Sequence, residues 1–164
     1  MIYRRLLLAL SMLFICLPGC SNNESNKKVS SSMAELQAIV DVPPPIQSIR
    51  WEIFGTPEYH GGVPGPTDFV TLVAEVDRID EHWFNGLPNE AGSEFIVPGA
   101  ARLWLSSPFQ SILRNKENTA LPLPYSSTCR LYRSRLKKTA APVKGFVCHH
   151  SGDALVYLTL YAAS

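Results

Sequence analysis

The sequence predicts an α+β domain: an antiparallel sheet of about four strands, ending in a C-terminal three-strand meander, with two or three helices packed mainly on one face. Three observations lead there. Three β-rich runs fill the last third of the chain, Thr128 to Leu136, Val143 to His149 and Ala154 to Ala162, the last two joined by the tight Ser151-Gly152. Ile49, Trp51 and Ile53 alternate with Ser48, Arg50 and Glu52, the period of a half-buried strand. Phe69, Leu72, Val73, Val76 and Ile79 recur at a helical period.

The chain of 164 residues suits one ordinary core, and its 46% hydrophobic and 18% charged residues with a formal net charge of +1 describe a globular chain. Nucleic acid is not an expected partner. At the N-terminus, Met1-Ile2-Tyr3-Arg4-Arg5 precede an apolar run from Leu6 to Leu17 that is too short to span a bilayer as a helix. A basic start, a short apolar middle and a small-residue exit describe a secretory leader. The exit, Leu17-Pro18-Gly19-Cys20, resembles the lipobox of bacterial lipoproteins, although Pro18 departs from the usual small or aliphatic residue. The resemblance implies removal of residues 1–19, a diacylglyceryl group on the Cys20 sulfur and a third acyl chain on the new amino terminus. Several chains anchor durably, since each buried methylene contributes about 0.8 kcal/mol. Ser21 stands where an aspartate would retain the protein at the inner membrane, which implies the periplasmic face of the outer membrane.

Residues 20–32 are expected as a flexible tether, because Ser21 to Ser31 is rich in Ser, Asn and Lys without apolar periodicity. The domain then spans 33–164. Ser32-Met33-Ala34-Glu35 has the form of a capping box and starts a short helix that ends by Pro43-Pro44-Pro45. A strand follows from Gln47 to Phe54. The stretch from Gly55 to Pro66 is too rich in Gly and Pro for regular structure, and its length makes it a candidate functional loop. Thr67 can cap the helix expected next, with Asp68 at the positive end of its dipole; the β-branched content of that segment favours a buried strand as the alternative.

Trp83 to Ser93 reads as irregular and Phe95 to Val97 as a short strand. Pro98 to Asn115 reads as one or two helical turns interrupted at Pro108, burying Trp104, Leu105, Phe109, Ile112 and Leu113. Leu121 to Ser127, with two prolines, reads as a linking loop. In the meander both faces of the last two strands are apolar, which calls for a second covering layer, supplied by the loop region after Phe54, or for a partner surface.

Of four cysteines, Cys16 leaves with the leader and Cys20 takes lipid, so Cys129 and Cys148 remain in an oxidising compartment. Pairing their strands about the turn Lys137 to Pro142 sets Cys129 opposite Cys148, Leu131 opposite Phe146, Cys148 opposite Leu155 and Phe146 opposite Tyr157. Opposed residues have the short Cβ separation that a disulfide needs. Closing a loop of this size should stabilise the fold by roughly 3 kcal/mol.

Charge is segregated: Asp41 to Glu94 carries ten acidic and two basic residues, whereas Phe95 to the end carries two acidic and nine basic. Such halves either neutralise each other in the fold or leave a basic edge to steer an acidic partner. The residues expected to bind a partner are Arg130, Arg133, Arg135, Lys137 and Lys138 of the first hairpin, with Lys144 beside them and Tyr59 and His60 on the long loop. No catalytic, metal or cofactor motif stands out. His149 and His150 are adjacent, so on a strand they point to opposite faces, and His60 and His82 have no Cys or His at ligand spacing. No Ser sits in Gly-x-Ser-x-Gly or Ser-x-x-Lys. The leading expectation is a non-catalytic module that binds an envelope protein, of inhibitor or immunity type. The alternatives are an accessory lipoprotein of an envelope or secretion assembly, and a small hydrolase built from Glu58, His60 and Asp68.

Overall fold

The computed structural model describes residues 29–42, 46–58, 68–90, 93–97, 101–114 and 128–162, with the backbone alone at 119–123. The leader, Cys20, the start of the tether, Tyr59, His60 and Thr67 lie outside the described residues. The elements are α1 (Met33–Ile39), β1 (Ser48–Thr56), β2 (Phe69–Asp77), α2 (Glu81–Asn85), β3 (Ser93–Val97), α3 (Ser107–Leu113), β4 (Thr119–Leu123), β5 (Cys129–Arg135), β6 (Pro142–His150) and β7 (Asp153–Ala162). Five strands form an antiparallel sheet in the order β1-β2-β7-β6-β5, and β3 and β4 form a separate antiparallel pair. The fold is therefore mostly sheet, with one more strand in the main sheet than expected.

The extra strand is β2, in place of the helix expected from Thr67 to Ile79. It lies between β1 and β7, and every residue from Thr71 to Val76 is buried. A strand covered on both faces shows a continuous apolar run, which mimics a helical period because no polar face interrupts it. Val70, Thr71, Val73 and Val76 also lose side-chain freedom in a helix, so the β-branched content decides the outcome.

Three other segments differ from expectation. Asp80 caps α2 by accepting hydrogen bonds from the amides of His82 (2.8 Å) and Trp83 (3.3 Å), where irregular chain was expected. β4 occupies part of the stretch read as a linking loop; Pro122 is tolerated there because β4 has a hydrogen-bonded neighbour on one side only. Pro108 does not interrupt α3 but sits in its first turn, where a missing N–H costs nothing.

The meander has the expected register, with Cys129 opposite Cys148, Leu131 opposite Phe146, Cys148 opposite Leu155 and Phe146 opposite Tyr157. The sulfurs of Cys129 and Cys148 stand 2.05 Å apart, at disulfide distance. Ser151 and Gly152 both have positive φ, 53° and 92°, as a type I′ hairpin turn requires.

Both faces of the sheet are covered. On one, Leu36 of α1, Val40 just after it and Phe84 of α2 pack on Trp51, Leu72, Val76, Val147, Val156 and Leu158. On the other, Phe95 and Val97 of β3, Leu105, and Phe109 and Leu113 of α3 pack on Phe54, Val73, Leu131, Phe146, Leu155 and Tyr157. The second layer is thus built by β3, the segment 101–106 and α3, and not by the loop region after Phe54, most of which lies outside the described residues; two of the three helices share one face.

The segment 30–42 is a strap. Ser30 exchanges two backbone hydrogen bonds of 2.8 Å with Trp51 on the outer edge of β1, and the Ser32 carbonyl accepts from the Trp51 indole at 3.1 Å. Ser30 to Ser32, expected as tether, are thus docked on the domain. Beyond α1, Val40 bridges Leu136 past β5, and the Asp41 carbonyl accepts from the hydroxyls of Tyr132 (3.2 Å) and Ser134 (2.6 Å). The strap joins the two edge strands across one face.

Two predictions follow from this packing. A Cβ on Gly145 of β6 would stand 1.8 Å from the Tyr157 carbonyl oxygen, so backbone must shift to admit it. Gly145→Ala should cost about 1–3 kcal/mol or more, read as a lower urea midpoint with intact far-ultraviolet dichroism. Burial pushes the phenols of Tyr132 and Tyr157 up to about 12. Their folded-state pKa lies above the unfolded value near 10, so their contribution to stability is complete below about pH 10 and is lost as pH rises towards 12. Absorbance titration should show two late tyrosines, and Tyr157→Phe should flatten the loss of stability over that window.

Candidate functional site

The site begins as an interruption in the main sheet. β7 pairs β2 through Thr159 opposite Thr71 and then Tyr161 opposite Val70, so Leu160 is an extra residue with no partner on β2. A bulge of this kind bends its strand. On the other side, the ladder between β6 and β7 ends at Lys144 opposite Thr159, while β6 keeps its pairing to β5 as far as Pro142 opposite Arg135. Pro142 has no N–H to continue a ladder. From Lys144 and Thr159 onward the two strands diverge like a fork, β7 following β2 and β6 following β5.

A groove of about 570 Å³ opens at the fork. Its sides are Pro142, Val143 and Lys144 of β6 with Arg133 of β5, and Thr159 to Ala162 of β7 with Phe69 of β2; Glu94, Phe95 and Ile96 of β3 form the opposite wall. The Tyr157 hydroxyl donates to the Ile96 carbonyl at 3.0 Å and holds that wall to the sheet, while its ring stacks on Phe146 at 4.8 Å. Ile96 and Tyr161 are each about half exposed (50% and 53%), which makes the lining apolar and open to solvent.

The charges are mixed, with Arg133 and Lys144 on one side and Glu94 on the opposite wall. Arg133 and Lys144 are cross-strand partners, and like charges directly opposed repel. Arg133 is relieved by Glu90 at 2.8 Å, whereas no carboxylate among the described residues forms an ion pair with Lys144. Of the other hairpin residues expected to bind a partner, Arg130 lies with its guanidinium 5.4 Å from the Phe84 ring, Lys137 pairs with Asp41, and Arg135 and Lys138 are exposed without lining the groove. The basic hairpin is therefore split: Arg133 and Lys144 belong to the groove, and Arg130 and Lys137 are engaged elsewhere. Ion pairs such as Arg133 with Glu90 and Lys137 with Asp41 join the acidic and basic halves of the chain, the neutralising arrangement that the charge segregation allowed.

A second polar cluster, not foreseen from the sequence, lies between β1, β2 and the segment 101–106. Glu52 and Glu75 are buried (4% and 5% exposed) on the face that carries Phe54 and Val73. Glu52 accepts from the Trp104 indole at 2.9 Å, and Arg102 Nε stands 3.5 Å from it, an ion-pair contact without hydrogen-bond alignment. Arg102 reaches Glu58 through two hydrogen bonds of 2.7 and 3.2 Å and lies 3.6 Å from the Phe54 ring centre. Glu75 accepts from Arg50 at 3.0 Å and from the Ser106 amide at 2.9 Å. Every one of these groups is occupied in holding the two layers together. Glu58 in particular is committed to Arg102, Asp68 donates its amide to the Thr56 carbonyl at 2.8 Å, and His60, the third member of the expected hydrolase set, lies outside the described residues. Among the described residues no group of three or more His, Cys, Asp or Glu is placed to hold a metal ion. Nor is any described helix long and apolar enough to cross a membrane.

No protein family matches this chain, and neither a curated protein nor a solved structure matches it.

Removing one partner from a buried ion pair leaves the other uncompensated, at a cost of about 3–5 kcal/mol. Arg102→Met should lower stability by that order, and Glu52→Gln in the same background should recover part of it. Denaturant melts of the single and double variants give the coupling.

Proposed function

We propose that this chain is a lipid-anchored lipoprotein of the bacterial envelope whose domain acts as a non-catalytic protein-binding module, of inhibitor or immunity type. The observation that carries the binding reading is the groove at the fork: half-exposed Ile96 and Tyr161 beside Arg133 and Lys144, at a place where the sheet ladder stops short. Exposed apolar side chains rimmed by charge are the usual make-up of a protein-recognition surface. The polar clusters supply no competing reading, because Glu52 and Glu58 are engaged with Arg102, and Glu75 with Arg50 and the Ser106 amide.

The address rests on the leader, on Gly19-Cys20 with Ser21 behind it, and on opposed Cys129 and Cys148, which suit an oxidising compartment. The membrane is one partner through the lipid, and an envelope protein is the other. A carboxylate-bearing surface on that protein would be steered to the groove by Arg133 and Lys144.

Metabolic labelling with palmitate should mark the chain, and Cys20→Ser should abolish the label and release the chain from membranes. Cross-linking through a photoreactive group at Tyr161 should join it to one envelope protein. The double variant Arg133→Glu, Lys144→Glu should reduce that product at least tenfold, and an unchanged yield would refute the groove as the binding surface.

A further inference from the structure

We propose that the fork receives an extended, acidic segment of the partner protein as an inserted strand between β6 and β7. This rests on the binding-module reading and deepens it by naming the form and chemistry of what is bound.

Backbone geometry carries the first step. Past Thr159 the side of β7 that would face β6 has no ladder partner among the described residues, whereas β6 has only Val143 and Pro142 beyond Lys144, Pro142 offering a carbonyl without an N–H, so β7 supplies most of the template. Unpaired backbone amides and carbonyls in a strand form a template for another strand, and peptides bind sheets by this route. An acyl chain has no donors or acceptors for such an edge, whereas an extended peptide presents both at the spacing of a strand.

Side chains carry the second step. In an extended segment, alternate residues face the same side. On the side bearing Lys144 and Arg133 a carboxylate would meet Lys144, which has no acidic partner among the described residues, Arg133 beside it being paired with Glu90. Two positions along, on the same side, an aliphatic residue would meet Ile96 and Tyr161, which are half exposed. The preferred segment is therefore extended, with acidic and aliphatic residues alternating two apart.

The edges of the sheet supply the third step, because they argue against a second copy of this chain as the occupant. β1 is covered by Ser30, and β5 is flanked by Val40 at Leu136 and by the Pro88 carbonyl accepting from the Leu131 amide at 3.2 Å. These contacts hinder insertion of either edge of the main sheet into a neighbour's fork.

The test uses the full-length chain in detergent and three fluorescein-labelled heptapeptides followed by anisotropy. These are Thr-Asp-Thr-Val-Thr-Asp-Thr, which sets Asp and Val two apart on one side, its counterpart with Lys for Asp, and the Asp peptide methylated on alternate backbone nitrogens. The Asp peptide should bind at least tenfold tighter than the Lys peptide, and backbone methylation should abolish binding. Lys144→Glu should invert the preference, and hydrogen exchange at Leu160 to Ala162 should slow when the Asp peptide is bound. Equal binding of the methylated peptide would overturn strand insertion, as would no binding of any peptide at millimolar concentration. Self-association that Lys144→Glu abolishes would overturn the choice of occupant. Failure of the peptides alongside a persistent Tyr161 cross-link would sink only this inference; loss of the cross-link as well would sink the binding module itself.

Discussion

Two carboxylates, Glu52 and Glu75, are buried on the sheet face that also carries Phe54 and Val73, and their need for donors organises the layer above them. A buried carboxylate without partners costs several kcal/mol, so the chain that covers β1 and β2 must bring cations and N–H groups to defined points. The segment 101–106 does so with Arg102, the Trp104 indole and the Ser106 amide. Ser106 is also the residue from which α3 departs, so satisfying Glu75 sets where Phe109 and Leu113 meet the sheet. Apolar burial favours covering that face, and the carboxylates decide with which residues and in what register. Arg50 and Arg102 lie beside aromatic rings as well, which lets charged groups share an interface with Phe54 and Trp104.

The same second layer creates the groove. β3 is held over the sheet by the bond from Tyr157 to Ile96, and the sheet beneath it opens where β7 bulges at Leu160 and β6 begins with Pro142. Neither device is costly alone. Together they place an interrupted ladder, two cations and two half-exposed apolar side chains within one concavity, and that conjunction is what the proposed function draws on.

Much of the sheet was legible because the meander obeys local rules. Turn residues at Ser151 and Gly152 and the alternation on either side fixed the register, and the opposition of Cys129 and Cys148 followed from counting about the preceding turn. β2 was misread because both of its faces are covered, and a strand without a polar face carries no period-two signal. The prolines that seemed to exclude β4 and to break α3 sit where an N–H is not needed, at an edge and in a first turn. Of the site, Arg133 and Lys144 were visible as charges on a hairpin. Their separation from Arg130 depends on strand facing, and the contribution of β3 and the bulge at Leu160 depends on tertiary contacts that no local pattern records. Arg102 drew no notice, since one arginine among nine basic residues in its half of the chain looks like solvated surface until its neighbours are known.

The strap from Ser30 to Val42 has a mechanical meaning. It bridges both margins of the sheet with a single stretch of backbone, and among the described residues its outermost attachment is one pair of hydrogen bonds between Ser30 and Trp51. A pull on the chain ahead of Ser30 loads that pair first, and bonds taken one after another yield at lower force than bonds loaded together. Once they give, α1 is the next element to lift, exposing Leu36 and Val40 and baring the two margins at once. The domain's resistance to tension and its protection against sticking to its neighbours therefore fail at the same point.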